Sequence, residues 1–258
     1  MTSRDQRLSR VRWQDLVYVS PMDTLRELAL PVPWFVFSLI LAGYSLWVPA
    51  LACSFMFFLT GLRLVHDAYH ANLGVGPRAL DMLLFVMSIL MLGSMHAVRF
   101  NHLRHHRLCL GEGDVEASSA RMPWYQALAF GPVFPLLLTL TAFRLATPQQ
   151  RWWVAAELVA NVVWAAAILA FGWALLLYHL AAMAIGQCLT AFFAVWTVHQ
   201  GGETHGRTLR GRLSNLISYN MFLHVEHHLF PGVPTSRLPE LARRLDRVAP
   251  ELSRSTVF

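Results

Sequence analysis

Residues 34–62 read WFVFSLILAGYSLWVPALACSFMFFLTGL, and the chain continues RLVHDAYH over 63–70. The first stretch carries no charged residue and is too long for a single helical crossing of a bilayer. Val48-Pro49 falls near its middle, so the run reads as two helices joined by a tight turn, and Arg63 ends it on the side where it began. Residues 152–198 repeat the pattern, with Glu157 as the one formal charge and Gly172 near the middle. Between the two lie shorter apolar blocks. Leu80 to Val98 is interrupted by Asp81, and Trp124 to Ala142 contains GPVFP, whose prolines break a straight span. A full crossing by the latter would leave the end of the chain on the opposite side from residues 63–122, so both blocks read as interfacial or half-buried. The expected fold is therefore an all-α integral membrane protein. It has four transmembrane helices as two hairpins, plus interfacial helices, with a cytoplasmic His-rich cap.

Composition agrees, with 55% hydrophobic residues, 14% charged and a mean hydropathy of +0.43. All 21 basic residues are Arg, and no basic run is interleaved with aromatics. The net charge of +6 thus reads as attraction to a membrane surface and not to nucleic acid. Cys53, Cys109 and Cys188 are odd in number and irregular in spacing, which argues against a disulfide framework or a thiolate metal site. The start, MTSRDQRLSRVRWQDL, has no apolar core behind its arginines, so no cleaved signal peptide is expected. Neither hairpin tip, near Pro49 or near Gly172, carries Arg, which places the tips outside and both termini inside. The expected organisation is a cytoplasmic arm over 1–32, a membrane domain over 33–238 and a cytoplasmic tail over 239–258. The expected location is a bacterial inner membrane with the functional face toward the cytoplasm.

Nine of the twelve histidines fall where the expected helices emerge on that face. His66 and His70, in HDAYH, are four apart and share a helix face. His102, His105 and His106, in NHLRHH, repeat the spacing of His224, His227 and His228, in HVEHH. Positions i, i+3 and i+4 converge on one side of a helix. Eight imidazoles would crowd one ion, so the count points to two, each with several nitrogen ligands. Thiolate-free nitrogen ligation suits iron, with zinc and copper also open. A pH-sensing patch would not explain why the spacing repeats. Metal-bound imidazoles donate their second N–H to an acceptor, and Asp67, Glu226, Asp114 and Glu116 are near enough to serve. Asn220, four residues before His224, would share its helix face and hold a metal-bound water, or else cap a turn. His96 reads as packing or capping, and His179 as a buried hydrogen-bonding residue.

In this order, separated by apolar hairpins, HDAYH, NHLRHH and HVEHH resemble the three histidine boxes of the membrane fatty acid desaturase and hydroxylase superfamily. The segment HLFPGVPTSRLP, residues 228–239, is similar to the one that trails the third box there. The resemblance implies a non-haem di-iron site that uses dioxygen and electrons to desaturate, hydroxylate or ketolate a lipidic chain. It implies a further histidine ligand between the last span and the third box. His199 occupies the matching place, with His205, in a Gly-rich loop, as its rival. The implied cofactors are two iron ions, with dioxygen as co-substrate. The implied partner is a separate electron donor of ferredoxin or cytochrome type with its reductase. A fatty acyl or lipid desaturase or hydroxylase is the leading expectation, and a carotenoid ketolase or hydroxylase is the alternative within the superfamily. A zinc-dependent membrane hydrolase or a non-catalytic metal-binding protein is the alternative of another class. Against it, HDAYH lacks the Glu of HExxH.

Overall fold

The computed structural model describes residues 8–201, 206–254 and 257, and among them the chain is helical with no strand. Helix α1, Pro21–Ala29, starts at a capping box in which Ser20 and Asp23 satisfy each other's backbone N–H, with Pro21 at the first helical position. Pro31 and Pro33 interrupt it, and α2, Val32–Gly43, carries the chain on. Together they form the first of four helical segments long and apolar enough to cross a membrane. The return helix α3 is Trp47–Tyr69. The turn before it is Tyr44-Ser45-Leu46, with Ser45 at φ +59, and not Val48-Pro49 as the sequence suggested. Pro49 sits instead in the first turn of α3, where a missing N–H costs nothing.

Helices α4, Pro77–Leu90, and α5, Met95–Leu108, form a pair bent by 114°. Helix α6, Trp124–Ala129, is short, and α7, Phe134–Leu145, begins inside the GPVFP stretch, with Val133 as its N-cap and Pro135 in its first turn. The second hairpin pairs α8, Pro148–Phe171, with α9, Ala174–Thr190. Gly172, at φ +66, makes the expected turn in the left-handed conformation that glycine adopts without strain. Helix α9 runs on through a π-helical turn, Ala191–Trp196, into α10, Thr197–His199. An even number of crossings brings the ends of α3 and α10 to one face. There α11 (Arg212–Ile217), α12 (His224–Leu229) and α13 (Leu238–Asp246) build a cap. Val11 and Leu16 pack with Leu223, Val233, Leu241 and Leu245, so the two ends of the chain share one core.

The bend between α4 and α5 explains most of the polar side chains in the second hairpin. Inside lipid, every backbone group freed by a broken helix must find a partner within the protein. Leu90 O accepts from His179 Nε2 at 2.8 Å, Met91 O from Gln187 Nε2 at 2.8 Å and Gly93 O from Asn161 Nδ2 at 3.1 Å. Glu157, fully buried, accepts from Ser88 Oγ and Ser94 Oγ at 2.6 Å each and from His96 N at 3.2 Å. His96 Nδ1 lies 2.6 Å from the same carboxylate, and its ring stacks on Trp153. His96 and His179 are thus packing and hydrogen-bonding residues, as expected from the sequence. His179 holds the end of α4 and His96 the start of α5, the helix that carries the second histidine box.

Candidate metal centre

Four elements deliver the nine histidines to one place. The last turn of α3 and its C-cap carry His66 and His70, and α5 carries His102, His105 and His106. His199 ends α10, and α12 carries His224, His227 and His228. Two sets of four form. In each, one nitrogen from every residue lies within 4.8 Å of the other three: His66, His70, His102 and His227 in one, and His105, His199, His224 and His228 in the other. His106 sits beside the first set, with Nε2 2.8 Å from His227 Nε2 and 3.2 Å from His102 Nε2. His205 lies outside the described residues.

Two of these rings are oriented from behind by carboxylates. Glu116 Oε1 is 2.7 Å from His102 Nδ1, and Asp114 Oδ2 is 2.7 Å from His105 Nδ1. With Nδ1–H donated outward, the Nε2 lone pairs turn inward. His102 Nε2 then stands 3.0 Å from His70 Nε2, and His105 Nε2 stands 3.0 Å from His199 Nε2. Converging lone pairs repel one another unless a cation lies between them, so this donor set fits a metal ion in each cluster. Burial reinforces the point. It pushes His102, His224, His227 and His228 well below their ordinary value, and His106 down to about 2, with neighbouring imidazoles adding to the effect. Neutral imidazole is the form that binds metal. Burial also lowers His105, but the Asp114 hydrogen bond and the nearby carboxylate charges outweigh it and the net direction is up. Burial, helped by the Asp114 charge and opposed by His105, raises Glu116 to about 7.

The loop that carries these carboxylates is docked on the π-turn that precedes His199. Ser119 Oγ donates to Ala191 O at 2.8 Å, and Trp196 Nε1 donates to Met122 O at 2.7 Å. Turns of this kind recur at functional sites because one extra residue re-aims everything after it. Gly206, at φ +72, closes the site from another side. A Cβ there would lie 2.6 Å from the His224 ring and 2.8 Å from Val198 O.

Three residues expected beside the ligands do other work. Asp67 accepts from Thr235 N at 3.0 Å and from Thr235 Oγ1 at 2.7 Å, and so ties the segment after the third box to α3. Glu226 accepts from Thr208 Oγ1 at 2.8 Å and Arg210 Nε at 2.6 Å, bracing α12 from behind. Asn220 does not share a helix face with His224, because α12 begins only at His224. It sits in a turn at φ +67 and donates to Thr235 O at 3.3 Å.

A cavity of about 410 Å³ leads away from the histidines between α3 and α9. From His66 to Phe55 it follows about 16 Å of helix rise, walled by Phe58, Leu59, Leu62 and Leu189. Phe55 and Phe193 end it with ring centroids 6.0 Å apart. Both are about half exposed, on the surface that would face lipid.

An apolar channel of this kind, closed at one end by two histidine clusters in a bundle of membrane-length helices, is the arrangement the three boxes implied. The chain matches the fatty acid desaturase family over residues 42–257 and belongs to that family. It is 31% identical over 208 residues to the Homo sapiens protein sphingolipid delta(4)-desaturase/C4-monooxygenase DES2. The alignment covers 72% of this chain and 60% of the human protein.

Proposed function

We propose that this protein is a membrane-bound non-haem di-iron oxidase that uses dioxygen to desaturate or hydroxylate a long lipidic chain. The observation that carries the reading is the pairing of two nitrogen clusters with one apolar channel. One iron would be held by His66, His70, His102 and His227 with His106 beside them, and the other by His105, His199, His224 and His228. Bound there, the irons would supply the activation of dioxygen that an unreactive C–H bond requires.

The protein's own part is positioning. The channel excludes water and holds a chain extended, while Glu116 and Asp114 fix two rings through their Nδ1 atoms. Desaturation takes two hydrogens from neighbouring carbons and hydroxylation takes one and returns oxygen, so the outcome depends on how the carbons are placed. Either reaction consumes two electrons and two protons from outside: desaturation reduces both oxygen atoms to water, and hydroxylation places one in the product and reduces the other to water. A separate donor of ferredoxin or cytochrome type with its reductase therefore belongs to the reading. The Arg distribution supports a site on the cytoplasmic face of a bacterial inner membrane. The lateral exposure of Phe55 and Phe193 supports entry of substrate from the bilayer.

Lipid and pigment profiling of a host with and without the gene tests this directly. The expected result is a new double bond or hydroxyl in acyl lipids, absent when His105→Ala is expressed. Altered pigments with unchanged lipids would contradict the acyl reading, and no change in either would contradict the oxidase.

A further inference from the structure

At the histidine end of the channel, α11 and the segment that follows it supply part of the polar wall. Ser214, Ser218 and Asn220 line the cavity there. Ser218 is 4% exposed, yet its Oγ has no hydrogen-bond partner among the described residues. A buried hydroxyl left unpaired is costly, and such groups are rare unless something absent from the protein itself completes them. The segment is held firmly enough to keep it so. Arg63 Nη1 donates to Tyr219 O at 2.9 Å, and Trp34 Nε1 donates to Tyr219 Oη at 3.0 Å. Tyr219 and Asn220 adopt φ of +52 and +67, a conformation imposed on non-glycine residues by their surroundings. Because Arg63 stands one turn before His66 on α3, the same tether fixes the segment relative to the metal ligands.

We infer that Ser218, with Asn220 beside it, forms a subsite for an uncharged, hydrogen-bonding head group on the lipid whose chain fills the channel. The identity of that chain as substrate rests on the oxidase reading above. A hydroxyl both donates and accepts, so Ser218 pairs equally with an alcohol, an amide or an ester carbonyl. No Arg lines the described cavity, so an anionic head would find no cationic side chain there to neutralise it. A pure hydrocarbon would leave the Ser218 hydroxyl unpaired.

Competition against radiolabelled octadecanol in detergent micelles tests the subsite. Octadecanol, octadecane and stearate serve as competitors for the wild-type protein as purified, Ser218→Ala and Ser218→Thr. Micelle partitioning cancels in the ratio of wild-type to variant for each competitor. Loss of one net hydrogen bond predicts that Ser218→Ala binds octadecanol about fivefold more weakly. Octadecane should be unchanged, and Ser218→Thr should restore octadecanol binding. Unchanged octadecanol binding in Ser218→Ala, an equal loss for octadecane, or a loss for stearate as large as for octadecanol would each overturn the inference. No turnover is needed. The oxidase reading can fail through absence of iron and product while the alcohol preference persists, and the subsite can fail in an active iron enzyme.

Discussion

Asp114 and Glu116 act on the metal site only through the rings of His105 and His102. Their removal should therefore weaken metal binding without dismantling the fold. Asp114→Asn and Glu116→Gln are each expected to lower iron affinity about 10- to 100-fold, measured by chelator competition, with yield and helix content unchanged. The histidines themselves were legible from the sequence, because i, i+3 and i+4 spacing states a shared helix face whatever surrounds it. Asp67 and Glu226 were misleading for the same geometric reason. Each follows a ligand by one or two positions, which points it away from that ligand's face, toward Thr235 and toward Arg210. The carboxylates that do touch the rings lie on a loop. No periodicity announces where a loop returns, so Asp114 and Glu116 stood level with the others until the docking of Ser119 and Met122 on the π-turn was seen.

At the scale of elements, the bent pair α4 and α5 determines where the second histidine box stands, and Glu157 is the acceptor that holds the bend. Glu157→Leu leaves the hydroxyls of Ser88 and Ser94 and the N–H of His96 without their acceptor. It is expected to destabilise the protein by about 3 kcal/mol or more, read as a lowered unfolding temperature in detergent, with Glu157→Gln recovering part of the loss. A second element-level contact sets the depth of the channel. Gly186 on α9 lets α3 approach so closely that a Cβ there would lie 2.7 Å from the ring of Phe58. Gly186→Ala should push that ring into the cavity and shift the product distribution toward shorter chains, measured by chromatography of products from mixed substrates. Apolar runs revealed both hairpins, and Gly172 revealed one of their turns. The other turn was misplaced because Val48-Pro49 was read as a breaker, although proline is at home in the first turn of a helix. The capping box at Ser20 and Asp23 announces α1, but charge-based reading assigned those residues to an arm.

For the whole molecule, the two histidine clusters exist only if α3, α5, α10 and α12 all end on one face, which requires an even number of complete crossings. Reporter fusions after Arg151 and at Phe258 should then give the same cytoplasmic signal, and opposite signals would mean that the GPVFP block crosses as well. Membrane class and the shared face were readable from apolar runs and arginine placement. The joining of the two chain ends in one core was not, because Val11, Leu16, Leu241 and Leu245 are short-range unremarkable and meet only in the folded cap. Everything the two clusters do depends on what they hold. Metal analysis of purified protein, expressed with adequate iron, should return close to two irons per chain, falling in His199→Ala, since a lost ligand weakens metal binding. One zinc and no iron per chain would contradict it.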